Sequence, residues 1–502
     1  MRHSRVPPGY GRRVLARMLT HAVVGLEARP VEVEAHLQRG IPGFTIVGLP
    51  DKACNEARER VRSGVANAEL EWPVRRITVN LAPAGLRKEG SGFDLPIALA
   101  ILAASRQVPA QRLEGHAALG ELGLDGRLRP VPGALACAES SRRMGVPRLL
   151  CAAESAAEVA LAGIEPVPVR HLVEAGAYLR GELEPPAVEP PARGPRPAYP
   201  DLAEVRGHER ARRAVELAAA GRHNLLLAGP PGTGKTMLAR RLPGLLPELT
   251  LEQALDVTRV HSVAGLLPPG RPLVGWPPFR TPHHTASAPA IIGGGGGRDV
   301  VRPGEVSLAH LGVLLLDELP EFDRAVLEAL RQPLEDGTIS IARVGGRAVY
   351  PARFQLAATM NLCPCGARGD PAAECSCTPS RISAYRARLS RALLDRFDLV
   401  LLVPRARARE LAGAPGEASQ VVASRVAAAT ERLAGARPAL SAAAGELLDR
   451  AVDRIPLSGR GRARVARVAQ TAAALAGARE VEPEHVAEAL SYRVPSELEA
   501  AA

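Results

Sequence analysis

The residues best suited to chemistry lie in one stretch. An apolar run, Leu225-Leu226-Leu227-Ala228, feeds Gly229-Pro230-Pro231-Gly232-Thr233-Gly234-Lys235-Thr236. The spacing fits G-x-x-x-x-G-K-[ST], the loop that cradles nucleotide phosphates. Gly229, Gly232 and Gly234 let the backbone turn tightly and bring its N–H groups to the anions without an intervening Cβ. A helix starting near Lys235 would aim its positive end at the same phosphates. Lys235 then reaches the β- and γ-phosphates of ATP, and the Thr236 hydroxyl holds Mg²⁺. A chance glycine turn before a helix is the bland alternative. The strand-like run before the loop and the apolar helix start after it (Met237, Leu238) weigh against that.

A second apolar run, Gly312 to Leu316, ends in Asp317-Glu318. Apolar residues without alternation predict a central parallel strand covered on both faces. Its carboxyl end is where ligands bind in such sheets. There Asp317 would position Mg²⁺, and Glu318 would orient and deprotonate the attacking water. A third strand, Phe354 to Thr359, ends in Met360-Asn361, which puts a polar side chain within reach of the γ-phosphate and the water. Gly345-Gly346, between the strand-like runs from Thr338 and to Tyr350, predicts a hairpin just before this strand. Arg343 and Arg347 would flank its tip and could grip phosphates, against the simpler reading of an exposed hairpin carrying ordinary arginines.

Seven cysteines argue against a disulfide scaffold in so long a chain, because the count is odd. Four of them, Cys363, Cys365, Cys375 and Cys377, fall in one short segment. Four thiolates suit tetrahedral Zn²⁺; reduced free thiols or redox-labile thiols are the alternatives. His283 and His284 are adjacent but lack carboxylate partners nearby in the sequence, which favours a loop or DNA contact over a metal site.

The elements that must position these residues fill 502 residues, enough for two to four domains. Aromatics are only 3%, so the cores are built from Ala, Leu and Val. The net charge is +11, and among the 64 basic residues only Lys52, Lys88 and Lys235 are lysines. Such a balance suits a polyanionic partner without requiring one. No run reaches a membrane span and no signal peptide follows the basic start, which places the expected protein in the cytoplasm with no membrane partner. Residues 1–182 are expected to form an α+β domain. Its strands would begin near Val23, at Gly43 and at Arg76, with helices over Asn55–Leu70 and Asp94–Ala104 and a hairpin turning at Asp125-Gly126. Residues 183–200, rich in proline, read as a semi-rigid linker. Residues 201–405 read as the α/β nucleotide-binding core, and 406–502 as a helical bundle. The 82 residues from Lys235 to Asp317 are long for one crossover, so insertions are expected there, with the Gly293–Gly297 run as a mobile loop.

Several stretches carry a family resemblance. Gly43 to Asp51, Asn80 to Pro96, Arg302 to His310, Leu316 to Phe322 and Met360 to Gly366 resemble the YifB/ComM family of magnesium-chelatase-like AAA+ ATPases over about residues 16–495. The resemblance implies a Lon-domain-like first domain, an AAA+ core and a carboxyl-terminal helical lid. It implies a homo-hexamer that hydrolyses ATP and drives branch migration of DNA in recombination or uptake of foreign DNA. Asn361 matches the sensor-1 position, Arg396 resembles an arginine finger acting in trans, and Arg460 matches a sensor-2 arginine that reaches the nucleotide. Ser390-Arg391-Ala392 stands where the family commonly has Ser-Gly-Pro, which leaves Arg391 as a rival to Arg396. Ser91 lies near the Lon nucleophile, but Leu135 stands where the lysine would be, and no lysine follows before Lys235. A serine without a base is a weak nucleophile, so proteolysis is not expected. Lys88, Arg87 and Arg76 are candidate polyanion contacts, against the reading of a solvated face. A chelatase-type or protein-remodelling ATPase is the second reading. A nonenzymatic DNA-binding scaffold is the third, disfavoured by the Asp317–Glu318 pair.

Overall fold

The structure, a computed structural model, describes residues 14–493 apart from 190, 269, 271, 295–300, 344–345 and 456. The side chains of 14, 53, 342, 343, 346 and 347 are outside that description. The chain is a multidomain α/β protein built on two large sheets.

The first sheet has seven strands: Val14–Val24 (β1), Glu27–Gln38 (β2), Gly43–Val47 (β3), Arg76–Ala82 (β4), His116–Leu119 (β5), Arg148–Ala152 (β6) and Glu165–Val169 (β7). Their order is β3-β4-β2-β1-β5-β6-β7, with β1, β2 and β4 antiparallel neighbours and the remaining pairs parallel. β1 was not expected to begin so early. Its buried residues are Ala16, Met18, Thr20, His21 and Ala22, so Met18 is the single large apolar side chain among them and the run lacks a strong apolar alternation. Its outward Arg17 pairs with Glu32 and Glu34 on β2.

Helix Asp94–Ala104 lies across β1 and β2 and is buried at every residue. Asp94 in its first turn is buried too, and Arg60 reaches it through two hydrogen bonds of 2.6 and 3.0 Å. Burial pushes the Asp94 carboxyl up, against the opposing pull of Arg60 and of the Leu122 N–H. Removing one member of such a pair strands the other. Asp94→Ala should therefore cost about 3 kcal/mol in denaturant unfolding. A loss below the measurement error would mean that Arg60 finds water instead.

Lys88 is not on a solvated face. It is fully buried, and its ammonium donates to the Pro83 carbonyl, so it is withdrawn from any polyanion. Arg76 is exposed. Ser91 donates to the Glu121 carboxylate, and Leu135 is core.

The second sheet is all parallel: Leu225–Ala228 (β8), Phe279–Arg280 (β9), Val313–Leu316 (β10), Gln355–Met360 (β13) and Leu399–Leu402 (β14), in the order β9-β10-β13-β8-β14. Every residue of β8, β10 and β13 is buried, as strands sandwiched on both faces require. One face packs against helices Glu209–Gly221, Ser419–Gly435 and Gly459–Ala476, so the carboxyl-terminal helices share a core with the sheet. The other face meets Phe322, Val326, Leu330 and Tyr350.

The hairpin Thr338–Arg343 (β11) and Gly346–Pro351 (β12) precedes β13, with Arg343 opposite Gly346. Residues 344–345, and with them the predicted turn residue Gly345, lie outside the described residues, as do 295–297 of the glycine run. The long Lys235–Asp317 excursion contains helix Leu251–Ala264 and a short helix, Ala288–Ile292.

The two sheets are tied together. Gly133 N–H donates to the Ser262 carbonyl at 3.1 Å, and Arg259 pairs with Glu139. The β1–β2 turn meets the hairpin: a Cβ on Gly25 would lie 3.1 Å from that of Ala348. The described residues of the proline-rich 183–200 segment have no regular structure, and the segment is pinned to the core by an Arg193–Glu248 ion pair and by Arg196 stacked over Trp276.

Candidate functional site

The parallel register brings three strand ends together. Ala228 is opposite Met360, and Leu316 is opposite Ala358. The residues that follow, Gly229, Asn361 and Asp317-Glu318, therefore emerge side by side at the carboxyl end of the sheet. Gly229 runs so close to the neighbouring strand that a Cβ would sit 2.3 Å from the Val403 carbonyl oxygen, which explains the glycine. Gly234 takes a left-handed φ of 84° and opens a short helix, Lys235–Ala239, which Pro243 and Gly244 keep from extending.

Lys235 is largely buried under this loop. Its ammonium donates to the carbonyls of Gly229 at 2.9 Å and Pro230 at 2.6 Å, and to Asn361 Oδ1 at 3.2 Å. Burial lowers its pKa, and the Asp317 and Glu318 carboxylates oppose that shift. Thr233 ties the loop by donating to the Pro230 carbonyl at 2.9 Å. Thr236 Oγ1 donates to Asp317 Oδ1 at 2.7 Å. A hydroxyl and a carboxylate oxygen are thus paired as hard ligands suited to Mg²⁺.

One residue of this site escaped the sequence reading. Thr359 donates its hydroxyl to Asp317 and accepts the Glu318 N–H at 3.1 Å. It holds both acidic residues from the adjacent strand. The available signal was a hydroxyl residue closing the apolar run Leu356-Ala357-Ala358. Glu318 itself has φ 56° and ψ 52°, a left-handed backbone rare for a residue with a side chain. Strain of this kind persists where the surroundings over-determine the geometry, and here it leaves the Glu318 side chain exposed.

Arg396 and Arg460 are not brought to this loop. Asn224, immediately before β8, donates to the Arg396 carbonyl, so Arg396 stands at the amino end of the sheet. A four-residue strand, spanning about 13 Å, separates it from the phosphate loop. Glu335 bridges the two arginines, to Arg396 at 2.5 Å and to Arg460 at 3.2 Å. Arg460, expected to reach its own chain's nucleotide, lies at the same far end. A cleft of about 520 Å³ opens there, lined by Arg222, Arg353, Arg396, Arg464 and Arg467 and by the carboxylates of Glu335, Asp336 and Asp398. Arg464 is mostly buried, which lowers its pKa, and its Nη1 has no partner among the described residues. Arg391 is exposed and begins the short helix Arg391–Leu394, capped by Ser390, which defines the local turn.

The side chains of Arg343 and Arg347 fall outside the description; their backbone lies in β11 and β12. The four cysteines do converge. Cys363 and Cys365 sulfurs are 3.4 Å apart, Cys365 and Cys375 3.7 Å, and Cys375 and Cys363 3.6 Å, with Cys377 in the same group. His283 and His284 stack on each other at 4.1 Å, and His283 Nδ1 meets the Thr285 hydroxyl.

A parallel sheet carrying a phosphate loop, with an acidic pair on a neighbouring strand, defines a magnesium-chelatase-like AAA+ fold. Comparison with known proteins agrees. The family model "Magnesium chelatase, subunit ChlI" matches residues 201–411, "Subunit ChlI of Mg-chelatase" matches 33–155, and "Magnesium chelatase, subunit ChlI C-terminal" matches 432–493. Competence protein ComM of Haemophilus influenzae is 42% identical over 95% of this chain and 97% of its own length. An uncharacterized Mycobacterium tuberculosis protein is 46% identical over 95% of this chain and 98% of its own. The uncharacterized YifB of Escherichia coli is 46% identical over 82% of this chain and 81% of its own. The chain belongs to the YifB/ComM family of magnesium-chelatase-like proteins. No helix among the described residues is long and apolar enough to cross a membrane.

Proposed function

We propose that this protein is an ATP-hydrolysing AAA+ motor, assembled as a homo-hexamer, that moves along DNA and drives branch migration in recombination or transformation. The observation that carries the reading is the placement of the phosphate loop and Arg396 at opposite ends of one rigid sheet. Lys235, Thr236, Asp317, Asn361 and Glu318 meet at this site while Arg396 and Arg460 lie at the far end, an arrangement that calls for a neighbour. The cleft at the far end supplies one, because its five arginines outnumber its three carboxylates and leave a positive balance that suits the phosphates held by the next subunit.

In this reading Lys235 and the loop N–H groups bind the β- and γ-phosphates. Thr236 and Asp317 hold Mg²⁺, which neutralises charge on the transferring group. Glu318 takes the proton of a water that Asn361 helps to place, and Arg396 of one subunit, with Arg460 beside it, stabilises the charge developing on its neighbour's phosphate. Cys363, Cys365, Cys375 and Cys377 hold structural Zn²⁺. The first sheet, Lon-like by resemblance, carries no protease chemistry: Ser91 donates to Glu121, and Lys88 to Pro83.

The DNA assignment draws on the kinship with a competence protein and on the β11–β12 hairpin, with Arg343 and Arg347 as its phosphate contacts. The test is ATP-dependent resolution of a synthetic four-way junction. Native protein should resolve it, whereas Arg343→Glu/Arg347→Glu should not, with DNA-independent ATPase unchanged. ATPase indifferent to DNA, with junctions left intact, would instead favour a chelatase-type or protein-remodelling ATPase.

A further inference from the structure

The segment from Leu362 to Thr378 has no regular secondary structure, and most of its side chains are exposed. It follows Asn361 directly, so it hangs from the residue that meets Lys235. Its apolar content is too small to fix it by burial; Leu362 and Cys363 are its buried apolar side chains. What is built into it is the cysteine cluster.

Four thiolates at a Zn–S distance of 2.3 Å stand about 3.8 Å from one another in a tetrahedron. The sulfur separations of 3.4, 3.6 and 3.7 Å are close to that. All four sulfurs lie within 4.8 Å of one another. A disulfide needs about 2.05 Å, so these are not bonded pairs. The Arg368 N–H donates to Cys363 Sγ at 3.3 Å, the backbone support that a metal-bound thiolate uses. The two-residue spacing of Cys363 and Cys365 is no obstacle, because the chain turns sharply at Gly366, with φ 82°.

That same turn lies on the phosphate loop. A Cβ on Gly366 would come within 3.0 Å of both Cγ and Cδ of Pro231. A Cβ on Gly369 would lie 4.0 Å from Cγ of Pro230. The cysteine segment therefore presses on the two prolines that shape the loop around Lys235.

We propose that a zinc ion bound by Cys363, Cys365, Cys375 and Cys377 clips this segment onto Pro230 and Pro231, so that zinc occupancy sets the nucleotide affinity of the phosphate loop. The proposal rests on the reading of that loop as an ATP site. Binding releases the thiol protons to solvent and involves no change of oxidation state.

The test uses the full chain purified without chelator. Its zinc content is measured, and a fluorescent ADP analogue is titrated at constant Mg²⁺ before and after removal of zinc with a zinc-selective chelator. About one zinc per chain is expected, with affinity about tenfold weaker after stripping and restored by added Zn²⁺. Pro231→Ala keeps all four ligands and the left-handed turn at Gly366 but removes the ring that Gly366 faces. It should retain zinc and bind the analogue with an affinity that stripping no longer changes, which separates the clip from general unfolding. Substoichiometric zinc in the native protein overturns the proposal, as does native affinity unchanged by stripping. Native protein that carries zinc but binds no nucleotide overturns the ATPase reading and the clip with it. Binding indifferent to zinc overturns the clip alone.

Discussion

Glu318→Gln should still bind ATP and lose its turnover, by roughly 10²- to 10⁴-fold, the range that a positioned general base contributes. The substitution is nearly isosteric. It keeps the left-handed backbone at 318 and the Glu318 N–H bond to Thr359, neither of which involves the carboxylate. Lys235, Thr236 and Asp317 do not depend on the Glu318 side chain for their contacts. The loss should therefore appear in kcat with the ATP dissociation constant within about twofold of native, the pattern of a group that acts only in the transition state. Rapid-quench hydrolysis and equilibrium nucleotide binding measure the two terms. Weakened binding together with an unchanged single-turnover rate would mean that Glu318 holds Mg²⁺ rather than activating water.

Arg396→Ala should cost at least about 10³-fold in hydrolysis while each subunit binds nucleotide normally, because in the role proposed for it Arg396 acts on phosphate held by another chain. Mixing supplies the decisive measurement. Glu318→Gln subunits lack a base but carry an intact Arg396; Arg396→Ala subunits carry the base. Mixed assemblies contain interfaces in which both defects fall on the same site, leaving other sites complete. Activity should reappear on mixing two inactive preparations. No recovery, in mixtures shown by sizing to co-assemble, would restrict Arg396 to its contact with Glu335. Arg391→Ala, in the same assay, should stay near native.

The strands of the parallel sheet were legible because burial on both faces demands unbroken apolar runs, and Leu225–Ala228 and Val313–Leu316 show it. The phosphate loop was legible because its glycines answer to backbone approach, a local requirement. Thr359 was less so: one hydroxyl at a strand end acquires meaning only when register sets it beside Asp317. Lys88 was misjudged because sequence gives its charge and not its burial under Pro83. The far-end position of Arg460 was invisible for a related reason. Helix Gly459–Ala476 is amphipathic on its own terms, but only tertiary packing decides which end of the sheet its first turn meets. Strand β1 was placed too late because Met18 is the one large apolar residue on an inward face otherwise filled by Ala16, Thr20 and Ala22, which carry little apolar signal.

The separation of Lys235 from Arg396 by the length of β8 has a consequence for counting. On the proposed reading of Arg396 as a finger acting on a neighbour, the last phosphate loop of an open row faces no partner, so a row always has one fewer finished site than it has members. Only a closed ring finishes every site. Turnover per chain should thus rise with each subunit added and reach its ceiling on closure, and a single gap, opened to admit a DNA strand, would silence one site at the seam while the rest continue to fire.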